Sequence, residues 1–377
     1  MSHTYALPSD GTPTLLTRAA IIETADAIAA MQEPDGAIPW SPGDHTDAWD
    51  HLECVMALQL AGRSDAAAAG WEWLARSQRP DGSWPMRTVA GVVEDAGADS
   101  NQCAYVAAAA WHHWLITGDR EHAARVWPVV RAALDFVLDL QQPAGQVWWA
   151  RAADGSPHPE ALLTGCSSTL HSLRCGLALA DLVGEPRSEW ELGAGMLRHA
   201  LRTRPELFGR RDRWSMDLYY PVIGGVFRGA EGRARLRSRW DDFVVAGLGA
   251  RCVDDQPWVT GAETCELAIA LHLVGETEAA CQLVRDIGHL RHDDGSYWTG
   301  WQFEAEANWP EERSSWTAAA VILAVDTLAG GVTETLFRGD DLPTGLVFPR
   351  DETAVRPGPD EVLLPRPRMG QLDERRK

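Results

Sequence analysis

Lysine is almost missing from this chain. Of 377 residues one is lysine, and it is the last, Lys377. A pyridoxal-phosphate Schiff base, a Walker A loop and a protein kinase each require a positioned interior lysine, so none of them is possible. No GxGxxG, GxSxG or HExxH occurs. No apolar run approaches the roughly 20 residues of a membrane span. The first residues, MSHTYALPSDGTPT, lack the basic-then-apolar order of a signal peptide. Positive charge is scarce, with 34 Lys and Arg against 54 Asp and Glu and a formal charge of −20. Nucleic acid and anionic membranes are therefore poor partners. The seven cysteines are odd in number and form no CxxC pair. Cys54, Cys103, Cys175 and Cys265 fall inside helical runs, as small core residues of a reduced, cytoplasmic protein do.

What is present is apolar and helical. Hydrophobic residues make up 45% of the chain, enough for a large core. There are 18 Trp against 7 Phe and 5 Tyr, an excess that suits stacking on sugar rings or enclosing a greasy ligand, and also heavy core use. Apolar helical stretches stop at Gly62, Gly118, Gly184, Gly229, Gly275 and Gly330, each followed by a polar restart. Glycine closes a helix because positive φ costs it nothing. The helices before these stops, roughly 46–61, 99–117, 162–183, 214–228, 260–274 and 313–329, are apolar on nearly all faces and should be buried. Those between them, roughly 14–32, 65–78, 120–141, 188–202, 230–246 and 276–290, carry more charge and should form an outer layer; Ser188 and Glu191 have the spacing of a capping box. Six such hairpins describe an all-α fold, an (α/α)6 barrel. One domain is expected over 12–331, after an extension at 1–11. A Pro-rich, charged tail at 332–377 should wrap extended over the barrel or be partly disordered. The segment VWWAR at 147–151 is the one hairpin-like strand signal. The outer-to-inner connections are long and fall at one end of the barrel, where function usually sits.

Those connections carry a repeated motif. QEPDGAIPW (Gln32 to Trp40), QRPDGSW (Gln78 to Trp84) and RHDDGSYW (Arg291 to Trp298) each make an Asp–Gly turn followed by an aromatic, and QQPAGQVWW (Gln141 to Trp149) is a degenerate fourth copy. The motif is similar to the repeat of squalene cyclases and prenyltransferase β subunits, and it also occurs in (α/α)6 glycoside hydrolases. The chain has no DxDD, the acid of the cyclases, and no Asp-x-Cys, the zinc ligand pair of the prenyltransferases. His112 and His113 point to different helix faces and make a poor metal site.

The acidic residues suit sugar chemistry better. The first inner helix opens SPGDHTDAWDHLE, with Asp47 and Asp50 one turn apart on one face and Trp49 and His51 beside them. Two close carboxyls raise each other's proton affinity, while the helix N-terminus favours the anions. Asp47 is equally an N-cap by position. The fifth opens DDQPWVTGAETCEL, with Trp258 in the loop and Glu263 at capping-box distance from Thr260. Other inner starts add polar and aromatic groups: Trp40 before the first, then Asp99, Asn101 and Gln102, then His171, then Trp214, Asp217 and Tyr220, then Trp316. A ring of this kind fits a carbohydrate; each member is also a plausible cap or core polar residue.

The whole barrel resembles (α/α)6 glycosidases, with DSNQCAYVAAAAWHHWLITGD like the Asp-led helix of glucoamylase-type enzymes. DHTDAWDHLE and VTGAETCEL, together with the length, resemble the methylmannose polysaccharide hydrolases of mycobacteria. That resemblance implies inverting hydrolysis of α-1,4 linkages in a cytoplasmic polymannoside, with Asp47, Asp50 and Glu263 as the catalytic carboxyls. Asp50 is expected as the acid, Glu263 as the base and Asp47 as helper, the first two roles being exchangeable. No metal or organic cofactor is implied. The rival readings are a terpenoid cyclase or prenyl-transfer enzyme on the same fold, and a barrel that binds a glycan without cleaving it.

Overall fold

A helix that is apolar all round is stable only where protein surrounds it. The computed structural model describes residues 15–209 and 212–347. In chain order its helices are α1 (Arg18–Met31), α2 (Ala48–Leu60), α3 (Ser64–Ser77), α4 (Ser100–Ala104), α5 (Val106–Thr117), α6 (Arg120–Asp139), α7 (Leu163–Val183), α8 (Ser188–Thr203), α9 (Met216–Ile223), α10 (Gly229–Arg237), α11 (Trp240–Phe243), α12 (Gly261–Leu273), α13 (Thr277–Asp286), α14 (Ser315–Leu328) and α15 (Val332–Arg338). The inner ring runs α2–α5–α7–α9–α12–α14 and closes on α2. The charged helices α1, α3, α6, α8, α10 and α13 pack outside it. The architecture is the (α/α)6 barrel expected from the hairpin repeat, and its core lies between the two rings.

The turns follow local chemistry. Gly118 and Gly184 close α5 and α7 at φ 62° and 77°, a conformation L side chains rarely adopt. The Asp–Gly motif is structural. Gln78 Nε2 donates to the Gly82 and Val129 carbonyls, clamping the turn to α6, and Trp84 Nε1 donates back to Leu74 O. A Cβ at Gly82 would lie 2.1 Å from the Ala132 carbonyl oxygen. Gln32 and Gln141 make the same clamps in their own turns.

The long connections form three small antiparallel sheets at one end. The first is β1 (His45–Thr46), β2 (Arg87–Val89) and β3 (Val92–Asp95); the second is β4 (Ala98–Asp99), β5 (Ala150–Arg151) and β6 (Pro157–His158). The third, in order β11-β10-β9-β8-β7, uses β7 (Val244–Val245), β8 (Gly249–Arg251), β9 (Trp258–Thr260), β10 (Gly300–Gln302) and β11 (Ala307–Asn308). The VWWAR signal thus supplies the middle strand of the second sheet.

Three local expectations change. The fourth inner helix is only α9, because Pro221 lies within it and Gly224 ends it. The capping box at Ser188 does not form: Arg187 is the N-cap, and Ser188 Oγ donates to Glu189 instead. The chain beyond 331 does not start as an extended tail. It begins as α15, whose Phe337 is buried beneath the inner ring. Arg174 donates to the carbonyls of Gly339, Leu342 and Pro343, and Arg228 to that of Phe337, so two half-buried arginines fasten this floor. Residues 1–14 and 348–377, which hold the expected extension and most of the tail, lie outside the described residues. All seven cysteines are free and buried.

Candidate active site

The Asp47 side chain caps α2, accepting from the amides of Trp49 (2.8 Å) and Asp50 (3.0 Å). Capping and site-forming are therefore one arrangement, since the cap places Asp47 and Asp50 together at the mouth of the barrel. Their carboxyls are hydrogen-bonded to each other, and burial with the Asp47 charge holds Asp50 well above the usual carboxylate range. Asp47 is buried, whereas Asp50 keeps an opening to water. His45 lies 3.8 Å from Asp47 and stacks on Trp40, whose own N–H donates to Glu312 at 2.7 Å.

Two further acids lie one turn deeper, at Glu53 and Glu266. Glu53 accepts from Trp49 Nε1 (3.1 Å), Tyr105 Oη (2.9 Å) and Trp316 Nε1 (2.8 Å), and burial still pushes it up to about 6. Glu266 accepts from Tyr219 (2.5 Å) and Tyr220, and burial beside Glu53 raises it well above its ordinary value. Neither stands out as a motif. Their signal is the continued three-residue step, Asp47-Asp50-Glu53 and Glu263-Glu266, in helices otherwise apolar on every face. A buried acid without a partner is costly, so such positions are worth attention.

Glu263 is buried near the start of α12 and makes no capping box: Thr260 forms no side-chain cap, and the Glu263 carboxyl sits against the Cys252 thiol. Its charge and that of Glu53 act on Glu266, and those of Glu53 and Glu266 on Asp50. The acids of α2 and α12 thus form one electrostatic cluster at the axis. Among the described residues no arginine pairs with any of them.

Beside this cluster opens a cavity of about 230 Å³ lined by Trp49, Asp99, Asn101, Gln102, Trp149, Trp214 and Asp217, with Val147, Leu162, Cys166 and Met216 as an apolar wall. Asp99 caps α4, and burial pushes it up to about 6 against two backbone amides. Asp217 accepts from Thr164 Oγ1 at 2.6 Å, and the buried Asn101 Oδ1 has no hydrogen-bond partner. Trp49 stacks on Tyr105 at 5.1 Å and meets Tyr220 edge-on at 5.5 Å, so Tyr220 and Trp316 support the cup from below and beside it.

Three expected substrate contacts lie elsewhere. His51 points outward: its Nδ1 accepts from Ile38 N, its Nε2 donates to Gly70 O, and burial drives it down to about 4. It sits beside Asp50 in sequence but one helical step around, which turns it to α3. His171 packs against Phe337 and Cys175 near the floor, because it lies two turns into α7. Trp258 is held in the third sheet by its N–H bond to Trp309 O (2.6 Å) and does not line this cavity. His112, set aside as a metal ligand, bonds Thr333. His45, Asp47 and Asp50 bring donor atoms within 4.8 Å of one another, a spacing at which one cation could meet all three, but Asp47 already serves the helix amides and Asp50.

An (α/α)6 barrel with a carboxyl cluster beside a tryptophan-walled cavity has the parts that a glycoside hydrolase needs. No protein-family profile matches the chain. It is 55% identical over 337 residues to the MMP endo-(1,4)-3-O-methyl-alpha-D-mannosidase of Mycolicibacterium hassiacum, covering 89% of this chain and 94% of that one. The chain belongs to the family of that enzyme. Among solved structures it is similar in fold to a glycosidase bound to glucose (TM-score 0.67, 13% identity, 86% of this chain and 99% of that one). It is similar also to a D-mannose isomerase (TM-score 0.61, 12% identity, 85% and 99%) and to the cellobiose 2-epimerase of Spirochaeta thermophila (TM-score 0.61, 12% identity, 86% and 99%). The terpenoid reading finds no support in these relatives.

Proposed function

We propose that this protein cleaves internal α-1,4 linkages of a 3-O-methylmannose polysaccharide in the cytoplasm, with inversion at the anomeric carbon. Asp50 protonates the leaving oxygen, Glu263 activates water on the opposite face, and Asp47 holds the Asp50 proton in place. The observation that carries this reading is the Asp47–Asp50 pair: a carboxyl whose proton affinity burial and the Asp47 charge raise well above the usual carboxylate range, open to water and among acids that no arginine of the described residues pairs. The substrate comes from the named activity of the mannosidase relative. The side cavity is consistent with it. Asp99, Asn101, Gln102 and Asp217 offer hydroxyl partners, while the wall of Val147, Leu162, Cys166 and Met216 suits methyl ethers that a fully hydroxylated sugar does not have.

Asp50→Asn and Glu263→Gln each keep shape and remove one ionisable group. Each is expected to lower kcat by about 10²–10⁴-fold on a 3-O-methylmannose oligosaccharide while leaving its binding, followed by calorimetry, nearly unchanged. Asp47→Asn is expected to be milder. Full turnover in Glu263→Gln would remove that residue from the mechanism.

A further inference from the structure

Glu53 is buried, and two of its three partners are tryptophan N–H groups. An indole N–H only donates, so Glu53 must present bare acceptor oxygens to both helices at once. Trp49 comes from its own helix, Trp316 from α14, and Tyr105 from the junction of α4 and α5. A proton on Glu53 finds an acceptor only if the Tyr105 hydroxyl reverses; toward either indole it would set a donor against a donor. The ionised form satisfies all three donors as they stand, with no reversal at Tyr105. Its charge then lies one turn below Asp50 on the same face of α2.

Among the described residues that charge has no counter-ion. The titratable groups around Glu53 and Asp50 are Asp47 on α2, Glu266, Glu263 and Cys265 on α12, Tyr219 and Tyr220 on α9, Tyr105, and Cys54; at the mouth His45 reaches Asp47. α14 contributes the neutral Trp316. We propose that Glu53 is a positioning residue: ionised beneath the Asp47–Asp50 pair, it keeps the proton on Asp50 and fixes the indoles of Trp49 and Trp316 at the sugar site. The proposal rests on Asp50 being the acid. It makes the deep acid part of the machinery through two others, without contact to substrate.

The test is the pH dependence of kcat/KM, whose alkaline limb reports the acid in the free enzyme. Glu53→Gln removes the charge and leaves an amide that cannot accept from all three donors. The alkaline limb should move to lower pH by about one unit or more, and KM should rise. Glu53→Asp keeps the charge on a shorter stem, so the limb should stay near its original pH while KM rises. Should Glu53→Gln fail to fold, Trp316→Phe removes one donor, raises the proton affinity of Glu53 and should move the limb the same way by less. A lower Tm with both limbs and KM unmoved would make Glu53 a fold residue and overturn the proposal. An inactive Asp50→Asn beside an unmoved Glu53→Gln profile overturns this proposal alone. Full turnover in Asp50→Asn overturns the acid assignment and this proposal with it.

Discussion

Asp47 and His51 lie four residues apart at the start of α2, and each carries a local structural duty. For Asp47 that duty is part of the proposed site, because the cap fixes the carboxyl at the barrel mouth. For His51 it is the whole role. Its ring joins the loop at Ile38 to Gly70 of α3 and packs on Trp73 at 4.5 Å. His51→Ala should lower unfolding free energy by about 2–4 kcal/mol, through two lost hydrogen bonds and a cavity, and leave KM unchanged. Urea denaturation with parallel kinetics checks this; a raised KM at unchanged stability would return His51 to the sugar site. What separates His51 from Asp50 and Glu53 is helical phase, while Asp47 precedes the helix as its N-cap. Asp50 and Glu53 share one face of α2, and His51, one step or about 100° on from Asp50, falls off it. Composition near a motif does not distinguish them, but the three-residue step does.

At the scale of elements, the inner and outer helices were legible because burial on all faces and on one face leave different patterns along the chain. The site was legible only at its upper rim, where acids cluster at helix starts. Glu53 and Glu266 were obscured because an isolated acid in an apolar helix reads as a single exception, and their partners come from other helices. α15 was obscured because a seven-residue helix before a Pro-rich stretch leaves little periodicity. Its role is to close the floor, with Phe337 under Tyr220, Ile223 and the two deep acids. Phe337→Ala should cost about 3–5 kcal/mol, since a large ring leaves a cavity the rigid helices cannot fill. Thermal unfolding measures it, and an unchanged Tm would show that α15 is only draped on the barrel.

The whole molecule holds two opposed sets of buried titratable groups. Glu53 and Asp99 are raised to about 6, and Asp50 and Glu266 are raised well above their ordinary values, so the folded state binds more protons at these sites than the unfolded chain. Their contribution falls as pH rises above about 4. His51 and His122 are lowered to about 4, and His112 and His171 to about 3, so at these sites the folded state binds fewer protons. Their contribution falls as pH drops below about 6.5. Between those limits the two sets oppose each other and stability should be nearly flat. Asp50 and Glu266, whose proton affinity burial raises well above the ordinary value, act in the same direction as Glu53 and Asp99, so stability should not rise with pH above about 6.5. Chemical denaturation at pH 5, 6, 7 and 8 checks the shape; stability rising steadily from 6 to 8 would contradict it.

The proposed mechanism places acid and base on opposite faces of the scissile linkage, with a water between the base and the anomeric carbon. Hydrolysis in one displacement inverts that carbon, whereas a nucleophilic carboxylate would act twice and retain it. Proton NMR of the first-formed product from an α-1,4-linked 3-O-methylmannose oligosaccharide, recorded before mutarotation, reads the outcome directly. The β-anomer is predicted to appear first. An α-anomer appearing first would show retention and contradict the assignment of Asp50 and Glu263 as acid and base.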